Sequence, residues 1–553
     1  MQEDDKSEAY IGSQEVPLGE IPAGSSGSND GDALQAKLEH QVNHRRLNPR
    51  QIQLSAIAGA IGAALFVAIG AGVLSGPLAL LIAFIFWATV VYSIGQCQME
   101  IVTLLPLDGS FIRLATRMVD PALGVGVGWN HFFAQTSYVM FEATIINTLV
   151  EYWGYDSNPA ILITVSLIFY LAINVYRADL FGEVEFWLSL GKVLLAAGLI
   201  LYTFIAMLGG NPLHDRFGFR YWKDPGPWAG ETSSGKLQAF VNAVNVAGFC
   251  MGGPEYLSMI AGEAKDPRKT IPRAFKTLMT RLVIFFIGGC ICVGILVPYN
   301  DETLTTGSSN TYAGKSPYVI SMSRLQIPVL PSIVNAALIT CVLSGGNAYT
   351  FNASRSLHAL ALDHKAPKIF ARVNKKGVPY TSVILVMLLS CLAYLALGSG
   401  SAKVLNWILN FATAATMLNW TVMALTWVRF NRAMKKQGID RKEFLPVSSR
   451  IQPYAGYWAL FWAPTFLLLQ GYSVFLKGNW DVATFIFNYG IIALAGGIGL
   501  GFKIFGRTPF HRSKDVDLVS DLEFFDHLTN YYQQIKDDNP PTSVKDTILA
   551  KIF

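Results

Sequence analysis

The sequence predicts an all-α integral membrane protein of twelve transmembrane helices, and three observations carry that reading. Of the 553 residues, 52% are hydrophobic and only 15% are charged, with a mean hydropathy of +0.36. A soluble domain carries about a quarter charged residues. Apolar runs recur, each near the roughly 20 residues that cross a bilayer core of about 30 Å. Twelve such runs are centred near residues 64, 92, 138, 168, 196, 248, 286, 338, 388, 416, 466 and 492. Finally, the net charge of +5 comes from basic residues in short loops beside these runs, which is not the patch that binds nucleic acid.

The first span holds Gly59-Ala60-Ile61-Gly62-Ala63-Ala64-Leu65-Phe66 and closes at Gly76-Pro77. Hydrocarbon tolerates an interrupted backbone only where it faces protein or a water-filled cavity. A break near Ile61 and Gly62 ends one half-helix in carbonyls and begins the next with amides, so one compact place is polar at both signs. An α-amino acid has matching charges: its carboxylate suits the amides of Ala63, Ala64 and Leu65, and its ammonium the carbonyls of Gly59 and Ala60. Glycine alone also fits a packing face in an unbroken helix.

Residues 1–48 are polar and lack the apolar core of a cleaved signal peptide, so a disordered tail is expected. His44, Arg45, Arg46 and Arg50 precede the first span and place that end in the cytoplasm. Twelve crossings return the C-terminus to the same side. The loops after spans 6, 8 and 10 agree, carrying Lys265 to Lys276, Lys365 to Lys376 and Arg429 to Lys442. Between spans 5 and 6, Arg216, Arg220 and Lys223 break the trend, offset by Asp215, Asp224 and Glu231.

Between spans 2 and 3, Pro106-Leu107-Asp108-Gly109-Ser110-Phe111 with Arg113 and Arg117 predicts a turn and a short amphipathic helix on the membrane face. Glu142 in span 3 is costly in hydrocarbon, so it either staples helices or serves transport. In span 5, Glu183 and Glu185 fit the cytoplasmic interface, while Lys192 lies roughly 10 to 13 Å deeper. Lys192 either snorkels outward or turns inward to a carboxylate.

Span 6 reads Phe249-Cys250-Met251-Gly252-Gly253-Pro254-Glu255-Tyr256. Pro254 removes a donor and Gly252-Gly253 lets the backbone unwind, so this helix also breaks. Two interrupted spans, each the first of a set of five, point to inverted repeats with a site where the breaks meet. The six cysteines, Cys97, Cys250, Cys290, Cys292, Cys341 and Cys391, all fall within spans and read as small apolar fillers. No metal-ligand spacing or nucleotide loop is present, so the pattern calls for no metal or cofactor and disfavours an enzyme.

Several motifs then occur in order. They are Gly59 to Phe66 with Gly76-Pro77, Glu100 before Pro106 to Phe111, and Ala261 to Lys269. Val334-Asn335-Ala336 leads through Gly346-Asn347-Ala348 to Ser354-Arg355, followed by Ala366-Pro367-Lys368, Gly377-Val378-Pro379, Arg429-Phe430 and Gln452-Pro453-Tyr454. Over roughly residues 50 to 505 the chain resembles the amino-acid/polyamine/organocation superfamily, and within it the fungal amino-acid permeases. The resemblance implies a leucine-transporter-like fold of two inverted five-helix repeats, about 54–208 and 237–428, with peripheral helices at about 457–503. It also implies proton-driven amino-acid uptake at the plasma membrane, with both termini cytoplasmic.

By position, the resemblance gives Ala63 and Ala64 as amide donors and Ala60, Phe249 and Gly252 as carbonyl acceptors, with Phe249 covering the ligand. Cys250 and Gly253 complete the second break. It matches Lys192 to the place sodium takes in sodium-coupled members, and Glu142 and Glu255 to acidic positions of the fungal group. Where that group usually has a hydroxyl residue and glycine, this chain has Ala63-Ala64. Asn347, Thr413 and Thr416 are candidates for the side-chain subsite. Residues 506–553 form a second cytoplasmic tail with a weak amphipathic stretch at Ile548 to Phe553. By resemblance, Lys6, Lys37 and Lys536 are ubiquitin acceptors for a ligase adaptor. A receptor that binds amino acids but transports little, and a permease for a polyamine or 4-aminobutyrate, are the alternatives.

Overall fold

The computed structural model describes residues 45, 47–58, 62–154, 158–176, 178–306, 311–312, 314–374, 377–399 and 401–538. Proline and glycine punctuate it. Helix α1 is described over Pro49–Ala58; the chain bends at Gly62, where the first break is described, and Ala63 leads into a π turn, Ala64–Ala68, and α2 (Ile69–Val73). Gly76, at φ 93°, turns the chain so that Pro77 opens α3 (Pro77–Leu104). The amphipathic α4 (Ser110–Met118) follows, burying Phe111, Leu114 and Met118. Asp120 caps α5 (Pro121–Val150) by accepting from the Ala122 amide at 2.8 Å.

Next come α6 (Pro159–Tyr176), α7 (Ala178–Met207) and α8 (Ser233–Cys250), the last capped by Thr232. Beyond the second break lie α9 (Pro254–Ile260) and α10 (Pro267–Arg281), continued by a π turn, Leu282–Ile287, into α11 (Gly288–Leu296). A two-residue antiparallel pair, β1 (Thr305–Thr306) with β2 (Thr311–Tyr312), precedes α12 (Pro317–Arg324) and α13 (Leu330–Leu362). The rest comprises α14 (Tyr380–Ser390), α15 (Ala396–Ser399), α16 (Ser401–Lys436), α17 (Arg441–Phe444), α18 (Tyr454–Leu469), α19 (Val482–Gly506) and α20 (Leu522–Asp538).

Among the described residues, seven helical segments are long and apolar enough to cross a membrane. They are Pro77–Leu104, Trp187–Met207, Pro267–Leu296, Leu330–Leu362, Tyr380–Gly398, Ala402–Lys436 and Val482–Gly506. The sequence predicts twelve, and the difference has identifiable causes. The first and sixth spans are interrupted at Gly62 and at Gly252-Gly253, the apolar run of α6 is short (Pro159–Val175), α5 is diluted by Asn130, His131, Gln135 and Glu142, and α18 has 16 residues with Pro464 inside. Polarity is inverted relative to a soluble protein: Leu194, Leu201, Leu388 and Leu468 project outward, while Asn130, Glu142, Lys192 and Glu255 are buried.

Helix α5 forms the centre, packed along α13, α16 and α19, with α18 against α16 and α3. Polar ties lock this core. Asn130 Nδ2 donates to Ala415 O at 2.7 Å and to Asn419 Oδ1 at 2.8 Å. At one end of the bundle Glu100, wholly buried, accepts from Trp427 Nε1 at 2.9 Å, Arg441 Nη2 at 2.7 Å and the Ser449 amide at 2.6 Å.

Both expected tails reach into the folded body. Arg45 is buried, donating to the carbonyls of Pro106 at 2.8 Å and Ala261 at 3.2 Å, and Leu47 pairs with the backbone of Glu263 and Lys265. The folded body thus begins before residue 49, because that guanidinium fills carbonyl acceptors left by two turns. At the other end, α20 lays Phe524, Phe525, Leu528 and Tyr532 against the body. Its polar rim ties Asp526 to Arg268, Gln533 to Lys269 and Lys536 to Asp266. Residues 1–44, including Lys6 and Lys37, and the stretch Ile548 to Phe553 lie outside the described residues.

Candidate functional site

The first break is held by a carboxyl from another helix. The Ala63 amide donates to Glu142 Oε1, on α5, at 3.2 Å. Glycine makes the slot for it: a methyl group at Gly62 would stand 2.5 Å from that oxygen, and one at Gly345 of α13 2.8 Å away. Glu142 Oε2 is buried with no hydrogen-bond partner among the described residues. Gly59, Ala60 and Ile61 lie outside the described residues.

The second break is held from two directions. Helix α8 ends at Cys250, and Gly253, at φ 151°, swings the chain into Pro254. Glu255 caps its own helix, its Oε1 accepting from the Gly253 amide at 3.0 Å and its Oε2 from Trp420 Nε1 at 2.9 Å. Arg281, 2% exposed at the end of α10, donates through Nη2 to the Gly252 carbonyl at 2.9 Å. A methyl group at Gly253 would strike that guanidinium.

The two breaks meet. Cys250 Sγ donates to the Ala64 carbonyl at 3.3 Å, a role beyond the apolar filler expected of it. Tyr138 OH lies 3.4 Å from the Phe249 carbonyl and 3.2 Å from Thr416 Oγ1, and its ring stacks on Tyr349 with centroids 4.7 Å apart. The Phe249 ring packs against Tyr138 and Phe141 at 5.1 and 4.8 Å. These groups enclose a cavity of about 20 Å³, lined by Ala64, Phe249, Cys250, Gly252, Gly253 and Glu255 together with Gln135, Tyr138, Tyr256 and Tyr349. It has room for one water.

A far larger cleft of about 930 Å³ lies between α5, α12 and α13 and includes Ser316. Ser316 Oγ donates to the Phe66 carbonyl at 2.8 Å, fastening the π turn to the floor of that cleft.

Lys192 turns inward, 2% exposed, with Nζ 3.4 Å from Glu185 Oε1. Glu185 also accepts from Ser189 Oγ at 3.3 Å and Ser344 Oγ at 2.9 Å. Glu185, expected at the interface, is buried within the protein: seven residues, two helical turns, set it beside Lys192 on one face. Ser344 and Gly345 are neighbours on α13, so a single turn of that helix faces both Glu185 and Glu142.

Leu65 belongs to the apolar core. Asn347 and Thr413 do not line the cavity. Asn347 Oδ1 accepts from Asn174 Nδ2 at 2.7 Å and Thr413 Oγ1 donates to Leu409 O at 2.7 Å, so each serves helix packing. Cys391 is exposed, not a core filler, because its helix faces outward there. Sequence reasoning passed over Arg281, Tyr138 and Tyr349. For Arg281 the signal was present, since a guanidinium within an apolar span is costly.

A bundle with an apolar exterior, buried charged groups and two broken helices facing one another is the architecture of a multi-span membrane transporter. The chain belongs to the amino acid permease family, whose description matches residues 51–514. It is 41% identical over 509 residues to the general amino acid permease AGP2 of Saccharomyces cerevisiae, covering 90% of this chain and 85% of that protein. It is 38% identical over 499 residues to the dicarboxylic amino acid permease of the same yeast, covering 89% and 82%. A proline-specific permease of Emericella nidulans is 34% identical over 520 residues, covering 92% and 94%.

Proposed function

We propose that this permease imports amino acids across the plasma membrane by proton symport, alternating access around the breaks in spans 1 and 6. The observation that carries the reading is the meeting of those breaks, Cys250 Sγ against the Ala64 carbonyl, around a small cavity. The ligand's α-carboxylate takes the amides of Ala63, Ala64 and Leu65, and its ammonium the carbonyls of Ala60, Phe249 and Gly252. Twelve spans form two inverted repeats, 54–208 and 237–428, with peripheral helices at 457–503 and cytoplasmic tails at 1–48 and 506–553. Lys536 then stands on the side where a ubiquitin-ligase adaptor works.

Lys192 occupies the place of a coupling cation, and a fixed ammonium there opposes sodium. Proton coupling runs through Lys192, Glu142 and Glu255. Counterflow of labelled amino acids in proteoliposomes tests the assignment, with amides and N-acetylated analogues competing poorly. Uptake rises as external pH falls, collapses with a protonophore and ignores replacement of sodium by choline. Lys192→Ala loses accumulation more than exchange. Ligand binding without counterflow would instead identify a receptor, and preference for a polyamine or 4-aminobutyrate would move the ligand class. The relatives' names range over general, dicarboxylic and proline-specific permeases, so a competition panel must define the side chain.

A further inference from the structure

Two of the backbone groups assigned above to the ligand are already occupied by the protein's own side chains. Glu142 presents a carboxyl oxygen to the Ala63 amide, and Arg281 presents an N–H to the Gly252 carbonyl. We propose that these two side chains are built-in stand-ins for the ligand: Glu142 substitutes for its carboxylate and Arg281 for its ammonium, and an amino acid binds by displacing both. The inference rests on the assignment of the ligand's charges to these two breaks.

Four observations support exchange over a permanent contact. Both side chains reach in from elsewhere, Glu142 from α5 and Arg281 from α10, so either can give way when a ligand group takes its place at the break. Glu255, by contrast, caps its own helix at Gly253. The cavity of about 20 Å³ admits no amino acid while these contacts stand. The pocket also holds an idle acceptor, because Gln135 Oε1 lines it, buried, with no hydrogen-bond partner among the described residues. That oxygen can accept an N–H from an incoming ligand.

The displaced groups have places to go. Glu142 lies against the turn of α13 whose Ser344 bonds Glu185, the partner of Lys192. Arg281 remains within electrostatic reach of Glu255. A stand-in pair keeps an empty transporter closed, since the Ala63 amide and the Gly252 carbonyl are satisfied without ligand. It also makes occupancy a conformational signal, because the ligand moves a side chain of α5 and one of α10 at once.

The test uses the full-length protein in lipid nanodiscs with an equimolar mixture of ¹⁴C-labelled L-amino acids, read as apparent half-saturation. Glu142→Ala and Arg281→Leu each remove a competitor, so each tightens apparent binding at least tenfold while lowering transport turnover. Arg281→Lys, which keeps a donor, returns KM and turnover toward wild type. Weaker binding in either folded variant overturns the inference, since the side chain would then contact the ligand. Should the variants not fold, infrared difference spectra of the wild type decide. Adding the amino-acid mixture shifts a carboxyl band that Glu142→Gln removes, and the absence of such a band overturns the inference. If the wild type binds no amino acid, the proposed function itself fails, a result distinct from binding that the variants leave unimproved or weakened.

Discussion

The two breaks solve the same problem by different means. At the second, Gly253 and Pro254 impose the turn and Glu255, one residue on, seals the new helix end, so the irregularity is written within a few residues. The first has no proline: it relies on glycine, a π turn and a carboxyl brought from Glu142, 79 residues away. One break is fixed by local chemistry and the other by tertiary contact. The second should therefore resist change in the rest of the bundle, and the first should follow it.

Breaking the local solution has the largest expected effect. Gly253→Ala forces a side chain into positive φ and against Arg281, costing about 3 kcal/mol or more, read as a lower melting temperature in detergent and poor delivery to the membrane. Gly62→Ala disturbs the tertiary solution less. The added methyl meets the movable end of Glu142, so about 1–3 kcal/mol is expected, with the melting temperature falling less than for Gly253→Ala. An equal fall in both would erase the contrast.

Phe249→Ala sharpens the comparison at the point where the breaks meet. It raises KM about tenfold, roughly 1.4 kcal/mol, while the protein still reaches the membrane; Phe249→Tyr chiefly alters selectivity. Unchanged kinetics would remove this ring from the site. The smallest effect is expected of Ser316→Ala, which leaves the Phe66 carbonyl without its hydroxyl donor and costs about 1 kcal/mol. Loss of melting temperature there without a change in uptake would make the tie purely structural.

How much of this was legible depended on the range of the interactions. Glycine and proline break a helix through their own backbones, so both interruptions could be read from a few adjacent letters. Glu142, Lys192 and Glu255 announced themselves by their cost in an apolar run. Arg281 obeys the same rule but follows a basic loop, among whose charges it was absorbed. Partners were not legible, because pairing is decided by helix packing. Nothing near Glu185 in the chain reveals Ser344, 159 residues away, and Tyr138 differs from any core aromatic only by where α5 lies. The helix α20 was readable and missed: Phe524, Phe525, Leu528 and Tyr532 fall on one helical face.

Helix α10 gives that tail a mechanical meaning. It runs unbroken through Pro272, and its 15 residues span roughly 21 Å. Its first turn is gripped by Asp526 and Gln533 of α20, and its last residue is Arg281. The helix is a lever with a load on each arm. On the exchange proposed above, a ligand that frees Arg281 and a pull on the tail act on the same helix, so any coupling between them is reciprocal.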